Sequence, residues 1–285
     1  MVLSTIKQQI SIRPARQEDQ RQLANLLHVG ARLHRHLDWR SPLDWVGRQP
    51  YLVAEHAGTI QAALACPPDP PEIAWIRLFA IHPEIPTGTA WEYLWAETQE
   101  YLQGVTVAAI PLQGWFQRLL SNAQFAQTHQ VDMFIWESQT PLVPPKPVNC
   151  TLRPMQPDDI PAVQRLDAIA FEPIWQQSRE MLTTAYRQAI IATVAEGTDG
   201  LLGYQISTAS HQGGHLARLA VHPQAQGQGI GYAIVHDTLT RFLRRGDTQV
   251  TVNTQNNNHA SLALYHKAGF RITGEGYPIF QSPLQ

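Results

Sequence analysis

The stretch His222–Val235, HPQAQGQGIGYAIV, sets Gly227, Gly229 and Gly231 within five residues and runs at once into an apolar, helix-like segment. The residues before it, HLARLAVHP, read as a strand. A strand that passes through bare backbone into a helix leaves several N–H groups aimed at one spot, where the helix N-terminus adds partial positive charge. Without Cβ atoms, a phosphate can approach that main chain closely. The spacing is not a P-loop, because no Gly-Lys-Ser/Thr follows, and the second G-x-x-G step of a dinucleotide fingerprint is missing. An anion cradle and a merely structural turn both fit the spacing.

Working outward, the second half of the chain alternates strand and helix signals. A strand at Leu152 is followed by DDIPAVQRLDAIAF, in which Ile160, Val163, Leu166 and Ile169 are expected along one helical face. SREMLTTAYRQ predicts a second helix, and AIIATVAE, LLGYQISTAS and HLARLAVHP predict a three-strand meander with GTDG as its first turn. IGYAIVHDTLTRFLRR predicts an amphipathic helix ending at Gly246. Strand TQVTVNTQ, helix NHASLALYHKAG and two final strands, FRITGEG and YPIFQ, complete the pattern. The class is α+β with a mixed, mostly antiparallel sheet flanked by helices.

The same phrases occur earlier. IRPARQEDQRQLANLL from Ile12 matches LRPMQPDDIPAVQRLD from Leu152, and His82-Pro83 precedes His222-Pro223 by the same 140 residues. LLSNAQF (119–125) answers LYHKAGF (264–270). Three matches in one order point to an internal duplication. PLVPPKPVN, with four prolines in nine residues, reads as an extended linker. The division expected is therefore 1–140, a linker at 141–148, and 149–285.

The glycine stretch with its neighbours resembles the GCN5-related N-acetyltransferases (GNAT). Gln226, Gly229 and Gly231 meet the family's Gln/Arg-x-x-Gly-x-Gly/Ala loop, and ARLAVHP is similar to its fourth strand. Asn258, Ser261, Leu264, Tyr265, Gly269 and Phe270 match its Asn-x-x-Ala/Ser-x-x-Leu-Tyr-x-x-x-Gly-Phe segment. The resemblance implies two tandem GNAT folds and acetyl transfer from acetyl-CoA directly to a primary amine of a protein or small molecule. It implies cofactor contacts at Leu219, Ala220, Val221, Gln226, Gly227, Gln228, Gly229, Ile230, Gly231, Asn258 and Tyr265, with the Val221 N–H on the thioester oxygen. Tyr265 is the implied general acid. Asn258 is equally a contact to the cofactor or a helix cap. AFEPIWQQSREM resembles the subgroup that acetylates protein N-termini, particularly those of ribosomal proteins.

The base is not legible. Some members carry a glutamate twelve residues before the tyrosine, and here that position is Asn253, which takes no proton at neutral pH. His215, Glu172 and Glu275 are candidates by type alone. That gap leaves open the alternative of a non-catalytic acyl-CoA-binding regulator or scaffold.

In the first half, Thr89 and Trp91 stand opposite Gly229 and Gly231, Pro86 removes a donor, and Leu120 and Gln124 stand opposite Tyr265 and Gly269. This implies a degenerate first repeat, kept as scaffold or substrate-binding wall. HVGARLHRHLDW, with His28, His34 and His36, fits no common zinc spacing and reads as a solvated helix end. No metal site is expected. Six tryptophans, Trp39, Trp45, Trp75, Trp91, Trp95 and Trp115, crowd this half, with core packing as their default role.

A formal net charge of −2 gives no general attraction for nucleic acid or an anionic membrane surface, so neither is expected as a partner. The N-terminal residues show no secretory-type apolar core, and no apolar run approaches the roughly 20 residues of a spanning helix, so a cytoplasmic protein is expected. Cys66 and Cys150 lack metal-ligand spacing. Oligomeric state is not legible.

Overall fold

The computed structural model describes residues 10–140 and 142–283. The described residues form two compact units, one of residues 10–128 with 278–283, the other of residues 129–140 with 142–277. These limits differ from the linear division. Residues 129–140 belong to the second unit and 278–283 to the first, while Pro141 of the expected linker lies outside the described residues.

Unit 1 begins with β1 (Ser11–Pro14), α1 (Gln20–Val29), β2 (Arg32–Arg35), β3 (Tyr51–His56) and β4 (Thr59–Ala65). It continues with β5 (Ile73–Trp75), β6 (Leu78–Ile81), α2 (Thr87–Tyr101), β7 (Thr106–Ala109) and α3 (Gly114–Asn122). The order β1-β3-β4-β6-β2 is antiparallel throughout. β5 runs parallel to β7, and Phe280 and Gln281 pair with β7. Its core holds Leu64, Phe79, Trp91, Leu94, Phe116, Leu120 and Phe280.

His28 sits exposed in the last turn of α1 as expected, but the rest of the histidine segment is not a solvated helix end. Arg32–Arg35 is a strand on β6, and its alternation turns His34 inward. There its ring stacks on Phe116 at 4.0 Å and Nε2 lies 3.0 Å from the Ile76 carbonyl. His36 stacks on Trp75 at 4.8 Å. Burial pushes the His34 pKa down to about 4 and that of His36 well below the usual range, Arg77 adding to the latter. Both rings are thus neutral when folded and protonate on unfolding, so stability is full above about pH 6.5 and falls as pH drops toward 4. His34 alone is expected to remove on the order of 3 kcal/mol by pH 4. Denaturant unfolding of unit 1 fluorescence between pH 7 and pH 4.5 measures this, and His34→Phe should flatten the profile. An unchanged slope in that variant would remove His34 from the account.

Unit 2 opens with β8 (Ala126–Glu137), which enters it at His129, then β9 (Thr151–Pro154), α4 (Ile160–Ala170) and α5 (Arg179–Gln188). The meander β10 (Ile191–Gly197), β11 (Gly200–Ser210) and β12 (Gly213–Val221) follows as expected. Then come α6 (Ile230–Arg245), β13 (Gln249–Gln255), α7 (His259–Lys267) and β14 (Arg271–Gln281). β9 to β12 are antiparallel, β12 and β13 parallel, and β8 pairs antiparallel with β13. The residues of β14 up to Tyr277 lie beside β8, where Thr273 Oγ1 donates to the Met133 carbonyl.

Two sequence expectations change here. FRITGEG and YPIFQ form the single strand β14, because Gly276 serves close approach to Gln130 and Asp132 of β8 rather than a break. Ile169 is 57% exposed. Nine residues beyond Ile160 is about half a turn around a helix, so it faces away, and buried Asp167 takes the inward place.

α6 is delimited by its glycines. Gly229 (φ +86°) caps the start, and Gly246 (φ +88°) ends it by donating to the Leu243 carbonyl at 3.0 Å. The starts of the two units carry the same ion-pair pattern. Arg13 pairs with Asp19 at 2.7 Å and Glu55 at 2.6 Å, and Arg153 with Asp159 at 2.7 Å and Glu196 at 2.8 Å.

Candidate functional site

The site of unit 2 begins with a defect in its sheet. β12 pairs with β13 only at Gly214, His215 and Leu216. On its other edge, Ile206 faces Arg218 and Ser207 faces Leu216, so Ala217 is the extra residue of a bulge. A bulge bends its strand. Beyond it β12 stays on β11 and leaves β13. His222 donates to the Leu202 carbonyl on β11 at 2.8 Å, so alternation turns the main-chain groups of Val221 and Leu219 the other way, toward the gap.

A cleft of about 410 Å³ occupies this gap. β12 supplies Leu219, Ala220 and Val221, the glycine turn supplies Gln226, Gly227, Gly229, Ile230 and Gly231, and α7 supplies Asn258, Ser261 and Leu264. Gly227 (φ +77°) and Gly229 hold left-handed conformations that side chains resist. At Gly231 a Cβ would lie 3.3 Å from Leu264 and 3.5 Å from Val221, so that glycine sets the width between α6 and its neighbours. Gln226 Nε2 donates to the Val221 carbonyl at 3.2 Å. Gln228 does not line the cleft; its amide turns back to the Gln224 carbonyl at 3.1 Å.

Next to the cleft, and sharing Phe171, Leu219, Asn258 and Ser261 with it, is a chamber of about 130 Å³. Tyr265 stands in its wall, 4% exposed, between Phe134 and Phe270. Burial raises its pKa, so the phenol keeps its proton at neutral pH. Asn258 caps α7 by accepting from the Ser261 N–H at 3.1 Å, and it also lines both cavities.

Asn253 lines the chamber, whereas His215, Glu172 and Glu275 line neither cavity. His215 is held 2.9 Å from Thr251 Oγ1 and burial lowers its pKa. Glu172 and Glu275 are exposed.

Sequence reasoning missed a buried ionic network. Arg218 Nε donates to Asp167 at 2.6 Å, Nη2 donates to the Trp175 carbonyl at 2.7 Å, and the Phe171 ring lies 4.0 Å from the guanidinium carbon. The Tyr204 hydroxyl donates to the same Asp167 oxygen, and the Gln177 N–H donates to the other at 2.8 Å. Arg218 also lines the chamber. The available signals were an arginine in the apolar run HLARLAV and an aspartate within the inward stripe of α4.

Unit 1 closes the corresponding ground. Phe79, Ala80 and Ile81, counterparts of Leu219, Ala220 and Val221, pair with β2 on the edge that stays open in unit 2. Trp91, counterpart of Gly231, is buried against Phe79 at 5.3 Å and Trp95 at 5.2 Å. Leu120 is fully buried in the same core. Gln124 (φ +64°) copies the backbone of Gly269 (φ +88°).

Comparison with known proteins agrees with this architecture. The sequence model described as the acetyltransferase (GNAT) family matches residues 160–270. A peptidyl-lysine N-acetyltransferase, YjaB of Salmonella typhimurium, is 29% identical over 117 residues, covering 35% of this chain and 74% of that protein. Among solved structures, a GCN5-related N-acetyltransferase from Sphaerobacter thermophilus superposes with a TM-score of 0.60 at 17% identity, covering 95% of each chain. A tandem GNAT protein from the clavulanic acid biosynthesis pathway has a TM-score of 0.62 at 15% identity, covering 95% of this chain and 98% of that one. Among the described residues no helix is long and apolar enough to cross a membrane.

Proposed function

Since the chain is a member of the GNAT acetyltransferase family with a tandem GNAT fold, we propose that unit 2 transfers the acetyl group of acetyl-CoA directly to a primary amine, and that unit 1 binds no acyl-CoA. The observation that carries this reading is the parting of β12 from β13 after Leu216, against the unbroken β2–β6 pairing of unit 1.

The residues present fit the cosubstrate. Backbone N–H groups of the Gly227–Gly231 turn, at the N-terminus of α6, suit a pyrophosphate. The edge of Leu219 and Val221 suits an extended amide-bearing arm, with the Val221 N–H available to a polarised carbonyl oxygen. When bound, acetyl-CoA supplies an activated acyl carbon on a thiol leaving group. In the transfer the N–C bond forms as the C–S bond breaks, the amine loses one proton and the sulfur gains one. Tyr265 holds a proton at Oη for that sulfur. No carboxylate or histidine is among the described residues lining the chamber, so the extra proton of an ammonium acceptor leaves to water before attack, and an acceptor of low pKa enters already as the free amine.

Calorimetric titration of the full chain with acetyl-CoA is expected to give one site per chain. Gly231→Trp, which installs in unit 2 the residue that plugs unit 1, should abolish binding. Two sites, or binding indifferent to that substitution, would overturn the assignment.

A further inference from the structure

The chamber wall carries one side chain that is charged at neutral pH, Arg218. Three of its contacts are structural: Nε to Asp167, Nη2 to the Trp175 carbonyl, and the ring of Phe171 against one face. Nη1 is different. It donates to no protein group among the described residues, and it is not among the fully enclosed polar atoms that lack a partner. Its N–H groups therefore remain for whatever enters, on an arginine whose side chain is 12% exposed.

Asp167 does not cancel this from the chamber side. It is fully buried, and both oxygens are occupied, one by Arg218 and Tyr204, the other by the Gln177 N–H. A simple alkyl ammonium entering the chamber would meet the guanidinium and no exposed carboxylate. Like charge at short range disfavours that ion. An acceptor that brings its own carboxylate reverses the sign, since a charge-assisted hydrogen bond to an arginine is strong and directional. The small volume between Phe171, Trp175 and Tyr265 places carboxylate and amine close together.

Building on the acetyltransferase reading, we propose that the acceptor of unit 2 is an amine with a nearby carboxylate, an α-amino acid in chemical class, and that Arg218 Nη1 receives that carboxylate. Arg218 is thus a specificity residue. Its rigid seat follows from the network behind it: Asp167 on α4 and the Trp175 carbonyl fix the guanidinium, so its free N–H groups point to one place without reorganisation.

The test uses the full-length protein and acetyl-CoA, with matched triplets of acceptor: an α-amino acid, its primary amide, and its decarboxylated amine, over small, aliphatic, aromatic and polar side chains. Release of free CoA thiol is followed in each. For the preferred side chain, kcat/KM is expected to be at least about tenfold higher for the acid than for amide or amine, chiefly through KM. Arg218→Gln should bring the ratio of kcat/KM between the acid and its decarboxylated amine, both measured on the same variant preparation, down to about one. Because the wild-type triplets decide by themselves, a variant that folds poorly does not remove the test. Equal or faster turnover of the decarboxylated amines would overturn the carboxylate assignment and leave the acetyltransferase reading standing. Acetyl-CoA that binds but is turned over with no acceptor, including proteins presenting lysine or α-amine, would overturn both.

Discussion

Tyr265→Phe is expected to bind acetyl-CoA as the wild type does and to transfer acetyl at least about tenfold more slowly, on the scale of a lost general acid. The substitution removes one oxygen and leaves the ring between Phe134 and Phe270, so unit 2 should keep its fold. The hydroxyl makes no hydrogen bond to the protein among the described residues, which means its removal orphans nothing. Two readouts separate the roles: affinity by calorimetry, and kcat by thiol release. A fall in kcat with an unchanged dissociation constant supports proton delivery from Oη. Turnover equal to the wild type would take Tyr265 out of the mechanism, and binding without turnover in the wild type itself would favour an acyl-CoA-binding regulator.

The second large effect is on stability. Asp167→Ala should destabilise unit 2 by about 3–5 kcal/mol, the range for breaking a buried ion pair from one side. Three donors lose their acceptor together: Arg218 Nε, the Tyr204 hydroxyl and the Gln177 N–H. The cost comes chiefly from leaving an arginine charge without its partner in a site that water scarcely reaches. Asp167→Asn keeps the shape and an acceptor, so it should cost less than the alanine. Urea unfolding followed by unit 2 signals measures both. A loss under about 1 kcal/mol for the alanine would mean that water or another acceptor already serves Arg218. The same variant should loosen Phe171 and Trp175 over the chamber, raising KM for the acceptor more than for acetyl-CoA.

The sequence by itself determined the helices of unit 2, its strands β9 to β13, and the glycine turn. These are local properties. Apolar spacing of 3.6 or 2 residues selects helix or strand, and glycines at Gly227, Gly229 and Gly246 announce backbone that other residues resist. Tertiary structure decided what depends on a partner distant in the chain. Arg218 meets Asp167 across 51 residues, and no spacing rule links an arginine in a strand to an aspartate on a helix. The turn of His34 into a core follows from β2 choosing the edge of β6, and a period-2 strand reverses every side chain with a one-residue slip. The same pairing closes in unit 1 the edge that the bulge at Ala217 and the parting of β13 leave open in unit 2. Whether a strand edge is free to hold a ligand is set by which strand arrives beside it, a long-range choice written in packing rather than in the residues of the edge itself.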